Sequence, residues 1–299
     1  MQITDHQQLC RAIEQMQREQ NAEISVLTRS ILGKEIPIIS LGQGVRTVVY
    51  VGGVCGTHAI TTDVLVQFLR DYFTSLARRA TLYGVSMEYF HSVRRVCVIP
   101  MLNPDGIEYA THGIAADHPM RARVLQMNGA NGRDFSAWEA NARGVDLRHN
   151  FKAGFFAHKE KEQREGLLNG AASGYGGEHP ESEPEISALC RFLRLRQQDL
   201  IGVLCLQAGT AQINCCCADH LSAKSMAAGR SLARLSGIRL TSPESLKPEG
   251  GIGEWCIREL HRPAYTLSFE SKDAGGVPRD RVAVYEQLRH ALFGFPFCL

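Results

Sequence analysis

Gly52-Gly53-Val54-Cys55-Gly56-Thr57-His58-Ala59-Ile60-Thr61-Thr62 follows an apolar run, Val48 to Val51, and leads into a helical pattern. A strand that empties through paired glycines into a helix start places its loop at a strand C-terminal end, where open α/β sheets gather their chemistry. The loop carries a thiol and an imidazole, both good donors to a soft metal ion. This stretch therefore proposes a sheet fold and a site together, and the two need separate arguments.

Around it the chain alternates strand and helix signals. Leu9, Ile13 and Met16 recur at helical spacing within 5–20, and Leu32 to Leu41 with Val45 to Val51 read as two strands flanking a Gly-Gln-Gly turn, which predicts a hairpin. Val64, Leu65, Phe68, Leu69, Tyr72 and Phe73 share one face of a helix over 61–78, and Val96 to Pro100 is a short buried strand. Asn103-Pro104-Asp105-Gly106 reads as a turn. The Gly-, Asn- and Arg-rich 111–143 and 151–177 read as long excursions over the mouth of the fold. A helix over 184–196, strands at 201–206 and 264–270 and a closing helix at 280–292 complete the pattern. Alternation of this kind predicts an α/β fold with both faces of a parallel or mixed sheet covered.

With 299 residues and 44% hydrophobic composition, the chain is expected to form one domain over 1–299. A formal charge of +2 from 33 basic and 31 acidic residues offers no basic stripe for nucleic acid. Residues 1–20 lack an apolar signal core, and no later apolar run reaches a membrane span, so a cytoplasmic protein without membrane association is expected. Ten cysteines scattered over apolar segments then read as reduced thiols. Among them Cys215-Cys216-Cys217 is better read as small buried hydrophobes than as a metal cluster, because consecutive strand residues face opposite ways.

Several motifs occur in a telling order: the opening Gly-Gly-Val-Cys-Gly-Thr-His, then Asn103-Pro104-Asp105-Gly106, Trp138-Glu139-Ala140-Asn141, and Gly144-Val145-Asp146-Leu147-Arg148-His149-Asn150-Phe151. Tyr175-Gly176-Gly177 with Glu181-Ser182-Glu183-Pro184-Glu185 follows, then the strand into Gln207 and the run from Gly250-Gly251 through Trp255 to Thr266. From about Leu32 to Pro278 this order resembles the zinc carboxypeptidases of the carboxypeptidase A type. It is most similar to bacterial branches that include γ-glutamyl-diamino-acid peptidases of cell-wall metabolism. The resemblance implies a three-layer α/β/α fold with a mixed sheet of about eight strands.

The same resemblance implies where chemistry belongs, and there the residues differ. The family's metal-ligand positions fall on Cys55, His58 and Gln207, the last a neutral amide that competes weakly with water for zinc. The general-base position falls on Ser268, while Glu270, two residues on, would lie roughly 6–7 Å further along the same strand face. The oxyanion-cation position falls on Glu139, a carboxylate that repels the charge it should stabilise. The carboxylate-gripping pair falls on Arg148 and His149, of which Arg148 still offers a bidentate fork. The mobile-loop tyrosine would fall near Leu246. Cys205, two before Gln207, is expected to face the same side.

Two functions are implied. In the first, the chain keeps the fold and binds a peptide or peptidoglycan-type ligand without hydrolysing it, zinc being absent or weakly held. In the second, it is a metallo-carboxypeptidase or γ-glutamyl peptidase whose metal is held by a rebuilt set of Cys55, His58 and Glu139 or Gln207, with Glu270 or Glu139 as base.

Overall fold

The computed structural model describes residues 5–215, 222–241, 251–272 and 276–299. In chain order the strands are β1 (Glu23–Arg29), β2 (Glu35–Leu41), β3 (Arg46–Val51), β4 (Thr81–Leu82), β5 (Val85–Ser86), β6 (Arg94–Ile99), β7 (Leu200–Ala208), β8 (Gln212–Asn214) and β9 (Ala264–Phe269). The helices are α1 (His6–Gln20), α2 (Ala59–Ala77), α3 (Met87–Val93), α4 (Pro104–His112), α5 (Arg121–Asn128), α6 (Phe155–Glu165), α7 (Pro184–Leu195), α8 (Ala223–Ser236), α9 (Ile252–Trp255) and α10 (Arg281–Cys298).

Among the described residues the main sheet has seven strands rather than about eight, in the order β1-β2-β6-β3-β7-β9-β8. The four central strands β6, β3, β7 and β9 run parallel, while β2 joins β6, and β8 joins β9, antiparallel. Alternation decides which face each side chain serves. Val48 and Tyr50 enter a core with α1, α2, α8 and α10, whereas Val49 and Val51 enter one with α7 and Trp255. The central strands are apolar on both faces because helices cover both, giving the three-layer architecture. Tyr50, fully buried, keeps its hydroxyl satisfied by donating to the Leu292 carbonyl at 2.6 Å. No helix among the described residues is long and apolar enough to cross a membrane.

Three local expectations are corrected. β2 and β3 do not form a hairpin: β6 lies between them, and the hairpin is β1 with β2. Gly42 explains the detour, since it sits at φ 76° and a Cβ there would lie 2.1 Å from the Arg94 carbonyl oxygen, so the chain passes tightly beneath the start of β6. Asn103-Pro104-Asp105-Gly106 is not a free turn but the start of α4, with the Asn103 side chain accepting from Gly106 N at 2.9 Å and Pro104 in the first helical turn. The two excursions contain α5 and α6, short helices whose mixed polarity hides their period. Cys216 and Cys217 lie outside the described residues, as does Leu246; Cys215 is buried, and every described cysteine is free.

Candidate active-site cleft

Because β3, β7 and β9 are parallel neighbours, their C-terminal ends lie side by side. Val51 pairs with Cys205, Cys205 with Thr266, and Gln207 with Ser268. Gln207 and Ser268 therefore stand at one level of the sheet, and the turn after β3 brings Cys55 and His58 to the same end. Ser268 is buried and Gln207 partly so. Glu270 lies past the end of β9, exposed, its carbonyl accepting from Arg279 Nη1 at 3.2 Å. The strand on which the sequence reading placed Glu270 thus ends before reaching it.

The turn carrying Cys55 and His58 is a short 3-10 segment, Gly56–His58, leading straight into α2. Gly56 is pressed against the Trp138–Ala140 segment: a Cβ there would lie 2.3 Å from the Trp138 carbonyl oxygen, and its N–H donates to the Glu139 carbonyl at 3.0 Å. Only glycine allows this approach, which fixes Glu139 beside the turn. Thr61 locks the other side, its hydroxyl donating to the His58 carbonyl at 2.8 Å and accepting from Gly53 N at 2.7 Å. His58 is buried with Nδ1 unpartnered among the described residues, and burial, reinforced by the Arg148 charge, lowers its pKa to about 4. Burial likewise pushes the fully enclosed Cys55 thiol well above its ordinary value, although Arg148 pulls the other way. At neutral pH the turn thus presents a neutral imidazole and a protonated thiol.

The charges of the cleft belong to three residues. Arg148 lies in a single 3-10 turn, Leu147–His149, whose cap is Asp146. The Asp146 carboxylate accepts from Arg148 N at 3.1 Å, Nε at 3.0 Å and Nη2 at 2.7 Å, and from Gly174 N at 3.1 Å. Arg148 Nη2 also donates to the Glu139 carboxylate, which takes a further bond from the Ser173 hydroxyl at 2.9 Å. Burial would raise the Asp146 carboxyl, but the Arg148 guanidinium outweighs it and holds it well below the usual range; Arg148 in turn is held firmly protonated. The His149 ring stacks on His158 at 3.7 Å, with Nε2 4.0 Å from the Asp146 carboxylate, and so braces the cluster.

The sequence reading named Glu139, Arg148 and His149 and missed Asp146, Ser173 and His158. For Asp146 a signal existed: a carboxylate inside an apolar Val-Asp-Leu run needs a buried partner. Ser173 and His158 arrive from the 155–177 segment, and nothing local marks them. Cys205 is buried opposite Val51, and burial, opposed in part by the Arg148 charge, raises its pKa to about 12.

The fit to zinc can be tested on these donors. Among the described residues no group of three His, Cys, Asp or Glu side chains could hold a metal ion. Cys55 and His58 offer two donors, Gln207 adds only a neutral amide, and Arg148 brings a fixed positive charge to the same turn. The residues present do not fit a three-donor zinc centre.

The zinc carboxypeptidase family matches residues 8–276, beginning ahead of the motif run at Leu32. The chain belongs to this family. Gamma-D-glutamyl-L-diamino acid endopeptidase 1 of Lysinibacillus sphaericus is 29% identical over 245 residues, covering 81% of this chain and 59% of that protein. The uncharacterized protein YqgT of Bacillus subtilis (strain 168) is 25% identical over 244 residues, covering 81% and 63% respectively. The chain thus spans about three-fifths of the length of these relatives. Among solved structures, carboxypeptidase A from Helicoverpa armigera superposes with a TM-score of 0.73 at 13% identity, covering 99% of this chain and 72% of that one. The murein-tripeptide amidase MpaA from Escherichia coli O157 gives 0.56 at 20% identity, covering 91% of each chain. At these identities the structures speak for the fold.

Proposed function

We propose that this protein is a carboxypeptidase-fold binder of a peptide or peptidoglycan-type ligand that does not hydrolyse it. The observation that carries the reading is the state of the cleft's cation. Arg148 is tied to Asp146 and Glu139, and the positions that would supply base and third ligand hold Ser268 and Gln207. Hydrolysis through bound water needs a base within hydrogen-bond reach and a positive partner for the oxyanion, and a serine and a carboxylate supply neither. Similarity to a γ-D-glutamyl-L-diamino acid endopeptidase supports a peptidoglycan-type ligand.

A second reading rests on His58 Nδ1, a buried neutral nitrogen without a partner among the described residues. That nitrogen is free to serve a metal as one donor beside Cys55, although the described residues bring no third His, Cys, Asp or Glu to the pair, so this reading needs Gln207 as the third ligand and Glu270 as base. The test is incubation with a C-terminal peptide library and with γ-D-glutamyl-diamino-acid dipeptides, with and without zinc. Product is followed by mass spectrometry and binding by thermal shift. The expected result is ligand-dependent stabilisation without turnover. Turnover that disappears in both His58→Ala and Glu270→Gln would establish the rebuilt enzyme instead.

A further inference from the structure

We infer that the end of the sheet remote from the cleft carries a second binding site, a cationic pocket for a small organic anion that joins a phosphate or carboxylate head to an apolar body. The inference is independent of what the cleft binds. The pocket lies where β3, β7 and β9 begin, whereas Gln207 and Ser268 stand near the far ends of β7 and β9. The run of β7 from Ile201 to Gln207 puts the two places roughly 20 Å apart.

The pocket spans about 520 Å³, within the range of cavities that hold small organic ligands. Its apolar wall comes from Leu200, Ile201, Ile257 and Leu299. Gly202 makes room for that wall, since a Cβ there would lie 2.5 Å from Leu299 Cδ1. Three cations line the same space: Arg46 at the start of β3, Lys224 in the first turn of α8, and Arg262 just ahead of β9.

These charges are held in place and left unbalanced. The Tyr265 hydroxyl donates to the Ser225 carbonyl at 2.6 Å, which pins the start of α8 to the sheet and sets Lys224 at the pocket. Arg262 donates Nε at 3.1 Å and Nη2 at 2.8 Å to the Gln197 carbonyl, so a neutral group fixes its guanidinium. The side chains of Arg46 and Lys224 have no hydrogen bond or ion pair among the described residues. The lining carboxylate, Asp199, is engaged elsewhere: it accepts from the Thr47 hydroxyl at 2.7 Å and lies 3.7 Å from Arg196 Nη1. Among the described residues no ion pair joins the three cations to Asp199 or to the Leu299 carboxylate.

Unbalanced cations around a low-dielectric wall focus a positive potential into the cavity and raise the local concentration of anions. The wall then selects among them, because an inorganic ion leaves it wet and an alkyl body covers it. Arg46, Lys224 and Arg262 thus specify the head of the ligand, and Ile201, Ile257 and Leu299 its body.

Purified protein is titrated by calorimetry with hexyl phosphate and with hexanoate. Inorganic phosphate and acetate serve as the heads alone, and hexanol as the body alone. Wild type should bind at least one amphiphile saturably, the tighter of the two identifying the head, and should bind the matching head at least tenfold more weakly. Hexanol should give no saturable heat. Arg46→Glu and Lys224→Glu, both at exposed positions, should each weaken binding about tenfold or more, whereas Arg18→Glu, an equal change of net charge on the exposed face of α1, should not. Absence of saturable binding by either amphiphile, or a head or hexanol binding as tightly as the amphiphile, would overturn the inference. So would a loss in Arg46→Glu and Lys224→Glu no greater than in Arg18→Glu, which would place the anion's contacts elsewhere.

Discussion

The Asp146 carboxylate is fully buried and yet ionised, because Arg148 and the Gly174 N–H meet it from several directions. Its removal would leave the largely enclosed guanidinium with only Glu139, and a broken buried pair is costly where an intact one is close to neutral. Asp146→Asn should therefore destabilise the fold by about 3 kcal/mol in urea or thermal unfolding. A loss no larger than that of an exposed pair, below about 1 kcal/mol, would mean the pair is solvated and the cleft's charge is not fixed. The comparison residue is Arg29, whose bridge to Glu35 is exposed on both sides and should contribute little.

Among the helices, α7 carries a second buried carboxyl with the opposite behaviour. Glu185, in its first turn, is fully buried with both oxygens unpartnered among the described residues. Burial, and then the like charges of Glu183 and Asp105, raise its pKa to about 8. A group whose folded pKa lies above its unfolded value stabilises fully below the unfolded pKa, and that contribution disappears as pH rises through the folded one. The window runs from 4.5 to about 8. Wild type should lose a few kcal/mol of stability across it from this group, on the order of 1.4 kcal/mol per unit of pKa shift. Glu185→Gln should flatten that slope, whatever it does to absolute stability, as followed by urea midpoints at several pH values. An unchanged slope would place the titration elsewhere.

Over the whole molecule, the candidate site draws on groups from distant parts of the chain that meet at one end of the sheet. The family's machinery works as a unit, so restoring one part of it should restore nothing. Gln207→His, which would add a third nitrogen or sulfur donor beside Cys55 and His58, is expected to produce no turnover of γ-D-glutamyl-diamino-acid dipeptides with added zinc. Turnover above the wild-type blank would show that base and oxyanion partner were already present. Much of this was legible in the sequence. The apolar runs of β3, β6, β7 and β9 and the periodicity of α2 and α7 are local signals, read directly from which side chains must leave water. Ordered motifs point to the family that the 8–276 match shows, and the residue types at Cys55, His58, Gln207, Ser268 and Glu139 raise the expectation of a changed donor set. What only the tertiary structure decided is pairing and charge balance. That β6 inserts between β2 and β3, that β9 ends before Glu270, and that Gly174 N and the Ser173 hydroxyl reach the Asp146 and Glu139 carboxylates around Arg148 depend on how segments apart in sequence are brought together. Hydrophobic periodicity reports how one segment meets solvent, whereas a buried ion pair exists only once two segments share the same low-dielectric space.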